Sequence, residues 1–436
     1  MAREPTPLDL TPALGSVSIK AKTRVSRGYF EGMTAEVALL NKQAVALAAD
    51  SKASFGSGMN IKTYDSVDKL FNLSREHPVG VMIYGNAEFM RVPWEVIIKE
   101  FRERHGATEH ATIDDWGDAF FDFAGQFHDF SMRDSELAVF TKTASFLRAI
   151  EASALVNRSL EPLITDVETR RVHPALNDLS EGEFLKNFPD LMERYETLLH
   201  SRIGDRMNSD IKRQLPRLLH RLAIADIETV ARSGLVVAGF GREETFPALI
   251  NLETDGVIAG RLAVSPRSES RITVDHPADV LPFAVRNVMI SMVHGVDPSF
   301  LDYSLTVFRD LIRANGDRLI NELSRNEQDK SRLMHENAAM SDEFIGVFLD
   351  YLRDYIQDMH LGPFASTLQG MPPDEMAWLA ESLVHLTSVK MRMSLGPEGV
   401  GGPVDTAVIT KREGFKWVKR KAPIEALTGP GLGKGD

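Results

Sequence analysis

Two neighbouring apolar runs constrain the fold of this chain more than any other feature. Residues 35–40 read Ala-Glu-Val-Ala-Leu-Leu, residues 44–49 read Ala-Val-Ala-Leu-Ala-Ala, and the polar turn Asn41-Lys42-Gln43 separates them. Short apolar runs on either side of a polar turn predict a β-hairpin. Because the second run is apolar at every position, both of its faces must be covered, which predicts a hairpin between two packed layers.

Further strands are predicted downstream, in groups that helical patterns separate. Short apolar runs predict strands over 67–71, 79–84, 235–241 and 246–252, a strand over 257–259 after a turn at Asp255-Gly256, and a closing hairpin of 404–409 with 415–418. Helical signals dominate from about residue 107 to 232 and again from about 278 to 394. The order predicts an α/β (α+β) fold whose strands are interrupted by two helical blocks.

Three helices carry sequence marks that a structure can test. The helix after Gly85-Asn86 has an apolar face formed by Trp94, Ile97, Ile98 and Phe101. Ser180 and Glu183 have the spacing of an N-terminal capping box. The last helix is predicted to open at Pro372-Pro373-Asp374-Glu375, with one apolar side made of Met376, Leu379, Leu383 and Leu386.

The composition excludes several kinds of site. The 436 residues include no cysteine, so disulfides, thiolate nucleophiles and cysteine-ligated zinc are ruled out, and the 12 histidines form no metal-binding pair such as His-Glu-x-x-His. A formal charge of -12 argues against nucleic acid as the main partner. No stretch approaches the ~20 apolar residues that a membrane helix needs, and no secretory signal is recognisable at the N-terminus. A cytoplasmic protein with no metal and no cofactor is expected.

Four stretches carry a resemblance to a known family. Residues 34–52 begin a strand at a threonine and lead through a turn and a second strand to an acid and a base, Asp50 and Lys52. Residues 67–71 place Lys69 before an apolar residue, 235–249 read as an apolar strand, a glycine turn and a proline-led return strand, and 400–404 hold a glycine pair before the last hairpin. In this order, the stretches resemble the proteasome β-subunit and its bacterial ring-forming relative.

The resemblance implies a four-layer α-β-β-α sandwich of the N-terminal-nucleophile hydrolase type with two large helical insertions. The family's Gly-Ser-Gly turn before its third helix is replaced here by 275–279. The implied organisation is an N-terminal arm or propeptide (1–33), the first part of the core (34–106), a helical insertion plus core helix (107–232), the second part of the core (233–298), a second helical insertion (299–371), the last core helix and closing hairpin (372–424) and a disordered tail (425–436).

The resemblance also implies a threonine nucleophile. In this family the threonine hydroxyl attacks, and the free α-amine of the same residue takes its proton, so the threonine must begin the mature chain. Carried over to this sequence, Thr34 attacks after the Met33-Thr34 bond is cut, Lys69 keeps the amine neutral enough to act as a base, and Asp50 orients Lys69.

Two further positions are expected to support the reaction. A backbone N–H near Gly85, where a strand turns into a helix, is expected to bind the oxyanion. The acid and serine that precede the family's final glycine pair are replaced here by 397–400, where Glu398 is the one residue able to substitute for the acid. The implied protein is a homo-oligomeric ring or stack of rings that cleaves a protein or peptide substrate.

Another interpretation of the same residues stays open. Thr34 can simply begin a strand, Asp50 can end one, and Lys69 can be an ordinary charge at a strand edge. In that case the chain is a non-catalytic proteasome-like subunit, whose unprocessed N-terminal arm and helical insertions build an assembly or bind partners.

Overall fold

The computed structural model describes residues 34–55, 62–64, 66–127, 130–229, 232–324, 326–394 and 400–421. The predicted arm 1–33, the predicted tail 425–436 and Glu398 lie outside these residues. The chain divides into two units, one formed by the residues up to Ala284 together with those from Pro372 onward, and the other by Val285–Met371.

The strands of the first unit are short, and all their pairings are antiparallel. In chain order they are β1 (Ala35–Asn41), β2 (Ala44–Asp50), β3 (Ala53–Phe55), β4 (Lys62–Tyr64), β5 (Leu70–Asn72), β6 (Val79–Gly85), β7 (Glu88–Phe89), β8 (Val92–Pro93), β9 (Ser233–Gly239), β10 (Ala248–Ile258), β11 (Arg261–Val264), β12 (Ser268–Arg271), β13 (Ala278–Ala284), β14 (Val404–Thr410) and β15 (Gly414–Lys419).

Two larger sheets contain most of these strands. The first sheet has the order β13-β1-β2-β14-β15, and the second has the order β11-β10-β9-β6-β5 with β12 also paired to β10. The predicted hairpins β1–β2 and β14–β15 are both confirmed, and they lie in the same sheet.

The helices alternate with these groups of strands. In chain order they are α1 (Trp94–His105), α2 (Ile113–Gly125), α3 (Met132–Ala144), α4 (Leu147–Asn157), α5 (Glu161–Glu168), α6 (Glu181–Asn187), α7 (Pro189–Ile203), α8 (Ser209–Ile224), α9 (Asn287–His294), α10 (Pro298–Leu323), α11 (Glu327–Ile356), α12 (Gly362–Gln369) and α13 (Pro373–Met393). The fold is therefore mixed α/β with antiparallel sheets.

The hairpin β1–β2 is covered on both faces, as its apolar sequence predicts. Every residue of both strands is buried. Ala38 and Leu40 of β1 share one apolar cluster with Met82 and Val236 of the second sheet. The strands of the first sheet also pack against α13. Because side chains alternate along a strand, one face of β1 contacts the second sheet while the other is turned toward α13.

The other face of the second sheet is covered by α1 and α2. The predicted face of α1 is confirmed, because Trp94, Ile97, Ile98 and Phe101 are all buried in one cluster with Val81 and Val237. Burial of an Ile or Phe side chain stabilises the folded state by about 1.5–3 kcal/mol. Helices α3 to α8 form a separate apolar cluster that extends to β10 and β11. At the start of α6, the Ser180 hydroxyl accepts from the Glu183 backbone N–H, which is one of the two bonds of the predicted capping box. The Glu183 carboxylate accepts from Arg261 Nη2 at 3.2 Å.

The second unit, Val285–Met371, is helical throughout its regular structure. It contains α9 to α12, and the long helices α10 and α11 pack side by side. Asn337 of α11 donates to the Arg313 carbonyl oxygen of α10 at 2.9 Å, and Arg309 pairs with Asp342 at 2.9 Å. The predicted insertion 299–371 lies within this unit.

Three predictions about local structure are wrong. Residues 278–284 form strand β13 paired with β1, so the helical block does not begin at 278. The chain does not turn at Asp255-Gly256, because β10 continues through a bulge there and the buried Asp255 carboxylate is bound by cations. On α13, Leu386 is exposed, since the buried side follows Ala380, Val384 and Thr387 instead.

Candidate functional site

The ends of three strands place the predicted catalytic residues together. Thr34 directly precedes β1, Asp50 ends β2, and Lys69 directly precedes β5. The β1–β2 register sets the start of one strand beside the end of the other. Lys69 is held to the second sheet because its carbonyl oxygen accepts from the Ile83 N–H at 2.8 Å. Thr34, Asp50 and Lys69 are all buried there.

Asp50 is the centre of this group. Its Oδ1 accepts from the Ala35 backbone N–H at 3.2 Å and also from the Lys69 ammonium. Its Oδ2 accepts from the Gly401 N–H at 2.9 Å, which ties the start of the closing hairpin to the same carboxylate. Asp50 therefore orients Lys69 and fixes the backbone on either side of it.

Glu36 completes the group, and the sequence reasoning gave it no role. The Thr34 hydroxyl donates to Glu36 Oε2 at 3.0 Å, and Lys69 Nζ donates to Glu36 Oε1 at 3.2 Å. Glu36 lies two residues after Thr34, on the face of β1 that also presents Ala38 to the second sheet. Its signal in the sequence is a lone charge in a strand whose other residues, apart from Asn41 at its end, are apolar. We call Thr34, Glu36, Asp50 and Lys69 the Thr34 cluster.

Burial controls the charges of the Thr34 cluster. Removal from water raises the pKa of Glu36 to about 8, a shift that Lys69 opposes and Asp50 reinforces. Burial alone would lower the pKa of Lys69, but the carboxylates of Asp50 and Glu36 more than offset it and its pKa is raised. Lys69 is thus a permanent ammonium between two carboxyl groups, and Glu36 can titrate near neutral pH.

Gly85 lies at the end of β6, opposite Ser233. Its φ is +74°, and an added Cβ would come within 2.6 Å of the Arg232 carbonyl oxygen, so this position requires glycine. The next N–H, that of Asn86, donates to the same carbonyl oxygen at 2.9 Å. Among the described residues, no hydrogen bond joins Gly85 to the Thr34 cluster, and its oxyanion role stays a prediction.

A cavity of about 240 Å³ lies beside the glycine pair, lined by His385, Ser388, Val389, Arg392 and Gly402. Gly402 follows the residue that binds Asp50. This recess is large enough for part of a substrate. Met33 and Glu398 lie outside the described residues, so the bond to be cut and the predicted supporting acid have no structural account.

A second buried charged group, which the sequence reasoning missed, joins the inserted helices to β10. Asp255 Oδ2 contacts Lys142 Nζ at 2.7 Å, His173 Nε2 at 2.6 Å and Arg232 Nη2 at 3.0 Å. Lys142 also donates to the carbonyl oxygen of Ala223 at 3.0 Å. We call Lys142, His173, Arg232 and Asp255 the Asp255 cluster. Within the described part of the chain, His173 Nδ1 is buried without a hydrogen-bond partner, while the Asp255 carboxylate and the Lys142 ammonium bind several groups inside the protein. The cluster connects the inserted helices to β10.

Two absences concern only the described part of the chain. Within those ranges, no helix is both long enough and apolar enough to cross a membrane. In the same ranges, no set of three or more His, Asp or Glu side chains is arranged to hold a metal ion.

Comparison with known proteins gives little further information. No protein-family model matches the chain, and no curated protein matches it. A solved structure of a mutant of Anbu from Hyphomicrobium sp. strain MC1 is similar over 90% of this chain and 91% of its own, at 12% identity and a TM-score of 0.25. At that TM-score the likeness carries no argument about fold or function.

Proposed function

We propose that the protein is a threonine-type hydrolase of the N-terminal-nucleophile class, a peptidase or amidase, built on an α-β-β-α sandwich. The layers of this sandwich would be α13, the first sheet, the second sheet, and α1 with α2. The observation that carries the proposal is the contact of the Thr34 hydroxyl with a buried carboxyl group that also binds Lys69, itself held by Asp50. Buried charges are costly, and such clusters concentrate at functional sites.

The proposed chemistry uses each of these groups. After cleavage of the Met33-Thr34 bond, the Thr34 hydroxyl attacks a substrate carbonyl and the new α-amine takes its proton. The Lys69 ammonium favours the neutral form of that amine by charge repulsion, and Asp50 holds Lys69 in place. As the C–N bond of the substrate breaks, the α-ammonium gives its proton to the leaving amine, and the acyl group stays on Thr34 Oγ1 as an ester, which water then hydrolyses.

Self-processing tests this proposal directly. We expect the purified wild-type chain to lose residues 1–33, and the Thr34→Ala variant to keep its full-length mass. Thr34→Ser is the matched control, since it keeps a hydroxyl and should still be cut. Intact mass spectrometry reads all three. Full-length mass in the wild type, or cleavage in Thr34→Ala, would remove the support for Thr34 as a nucleophile.

A second candidate function, assembly, is favoured by the surface of the second unit. On α11, Met340, Phe344, Val347, Tyr351 and Tyr355 are all exposed, at intervals of three and four residues. Residues at this spacing lie along one side of a helix and are typical of a helix–helix seam. On α10, Phe300 and Tyr303 add to the exposed apolar surface.

The size of this surface fits a second copy of the chain. Seven aromatic rings of α10 and α11 are between 43% and 73% exposed. At about 200 Å² for each fully exposed ring, they leave roughly 800 Å² of aromatic surface. That total is close to the ~800 Å² that each partner contributes to a stable interface. We infer that α10 and α11 pair with the same helices of a second copy.

The oligomeric state tests this surface. Wild-type protein is expected to sediment as an oligomer at micromolar concentration, and the double variant Phe344→Ser/Tyr351→Ser as a monomer. The matched control is Trp378→Ser, because Trp378 is equally exposed but lies on α13 in the other unit. A wild-type monomer, or a double variant that assembles like wild type, would contradict the inference.

A further inference from the structure

Glu36 is the unexplained member of the Thr34 cluster. The proposed chemistry uses the Thr34 α-amine as the base, but this amine is part of a peptide bond until the arm has been removed. The first cut therefore needs a different proton acceptor. Glu36 Oε2 lies 3.0 Å from Thr34 Oγ1, within the range of direct proton transfer.

We propose that Glu36 is the catalytic acid and base for the Thr34 hydroxyl in the cleavage of the Met33-Thr34 bond. This inference rests on the proposed function and adds a residue to it. Glu36 Oε2 takes the proton from Thr34 Oγ1, and Oγ1 attacks the carbonyl carbon of residue 33. As the C–N bond breaks, the proton passes from Glu36 to the Thr34 nitrogen. Water then hydrolyses the resulting ester and restores the hydroxyl.

The surroundings of Glu36 suit both halves of that proton transfer. Lys69 before β5 and Asp50 on β2 are the charged groups that face it among the described residues, while Phe283 lies opposite on β13. With Glu36 ionised, these three groups carry a net negative charge in a buried site. A pKa of about 8 lets the same carboxyl group accept a proton and return it near neutral pH.

The pH profile of self-cleavage should report this titration. In the wild type, the cleavage rate is expected to rise with pH through about 8 and then level off, because only ionised Glu36 accepts the hydroxyl proton. In Glu36→Gln, the rate should fall by about 10²-fold or more and lose its rise near this pH. The matched control is Glu95→Gln, a change of the same size on the exposed side of α1.

Full-length chains of these variants are followed by intact mass over time, and thermal unfolding checks that each has folded. If the wild-type cleavage rate does not change between pH values below and above 8, Glu36 is not the proton acceptor, and no variant is needed to show this. Cleavage of Glu36→Gln at the wild-type rate overturns the role of Glu36 while leaving Thr34 as the nucleophile. A wild-type chain that is never cut at any pH fails the proposed function and this inference together.

Discussion

Replacing Lys69 with methionine is expected to lower the free energy of unfolding by about 3–5 kcal/mol, the usual cost of removing one partner from a buried ion pair. Methionine matches the length of the lysine stem but leaves the carboxyl groups of Asp50 and Glu36 without their cation, while both stay fully buried. Self-cleavage should be lost as well. Urea unfolding monitored by circular dichroism measures the change.

The pH dependence of the Lys69→Met variant separates lost charge from lost packing. Without the ammonium, the pKa of Glu36 should rise further, because Lys69 lowers it in the wild type. The contribution of Glu36 to stability is then greatest below its unfolded pKa of 4.5 and falls as pH increases. The control is Lys99→Met, because Lys99 pairs with Glu95 on the surface of α1, where such a pair is worth about 0.3–0.5 kcal/mol. Equal losses in both variants would contradict a buried ion pair at Lys69.

The strands of the core could be predicted where their sequences are apolar on both faces. The side chains of β1 and β2 can be removed from water only if both faces of the hairpin are covered. The apolar face of α1 was equally clear. Strand β13 was not predicted, because the sequence that follows it has a helical pattern and because its pairing with β1 joins residues far apart in the chain. The bulge in β10 was not predicted, because Asp255-Gly256 has the composition of a turn. Asp255 instead binds Lys142, which is distant in the sequence.

The candidate site also has residues that the sequence identified and residues that only the structure shows. Thr34, Asp50 and Lys69 were identified by resemblance, and the structure places them in one buried group. Their catalytic roles stay predictions. Glu36 and the Gly401 N–H were not assigned, since neither contact follows from local spacing. A charged residue two positions after the proposed nucleophile, inside a strand buried on both faces, is the signal that could have identified Glu36.

The two buried clusters differ in a way that relates stability to function. In the Asp255 cluster, the Asp255 carboxylate contacts both Lys142 and Arg232, which hold its pKa well below the usual range. In the Thr34 cluster, one ammonium serves two carboxyl groups, and ionising Glu36 leaves excess negative charge. The folded state therefore binds the Glu36 proton more tightly than the unfolded chain does. Between the unfolded pKa of 4.5 and about 8, this group lowers stability as pH rises. Such a cost is consistent with the proposed chemical role of Thr34 and Glu36.

Asp255→Asn is expected to destabilise the protein by about 3–5 kcal/mol, because the uncharged amide leaves the buried Lys142 without its carboxylate partner. Arg232 keeps its ion pairs with Asp226 and Glu253. Burial alone would raise the pKa of Asp255, but Lys142, His173 and Arg232 together hold it well below its usual range. Its contribution to stability is present above the unfolded pKa of 3.8 and is lost as pH falls. Wild type should therefore lose stability in acid more steeply than the variant. Asp166→Asn, the same change at an exposed pair on α5, is the control.

Hydrogen exchange should show that Asp255→Asn loosens α3 where it packs on β10. Unchanged protection there would mean that the Asp255 cluster does not attach the inserted helices to the sheet.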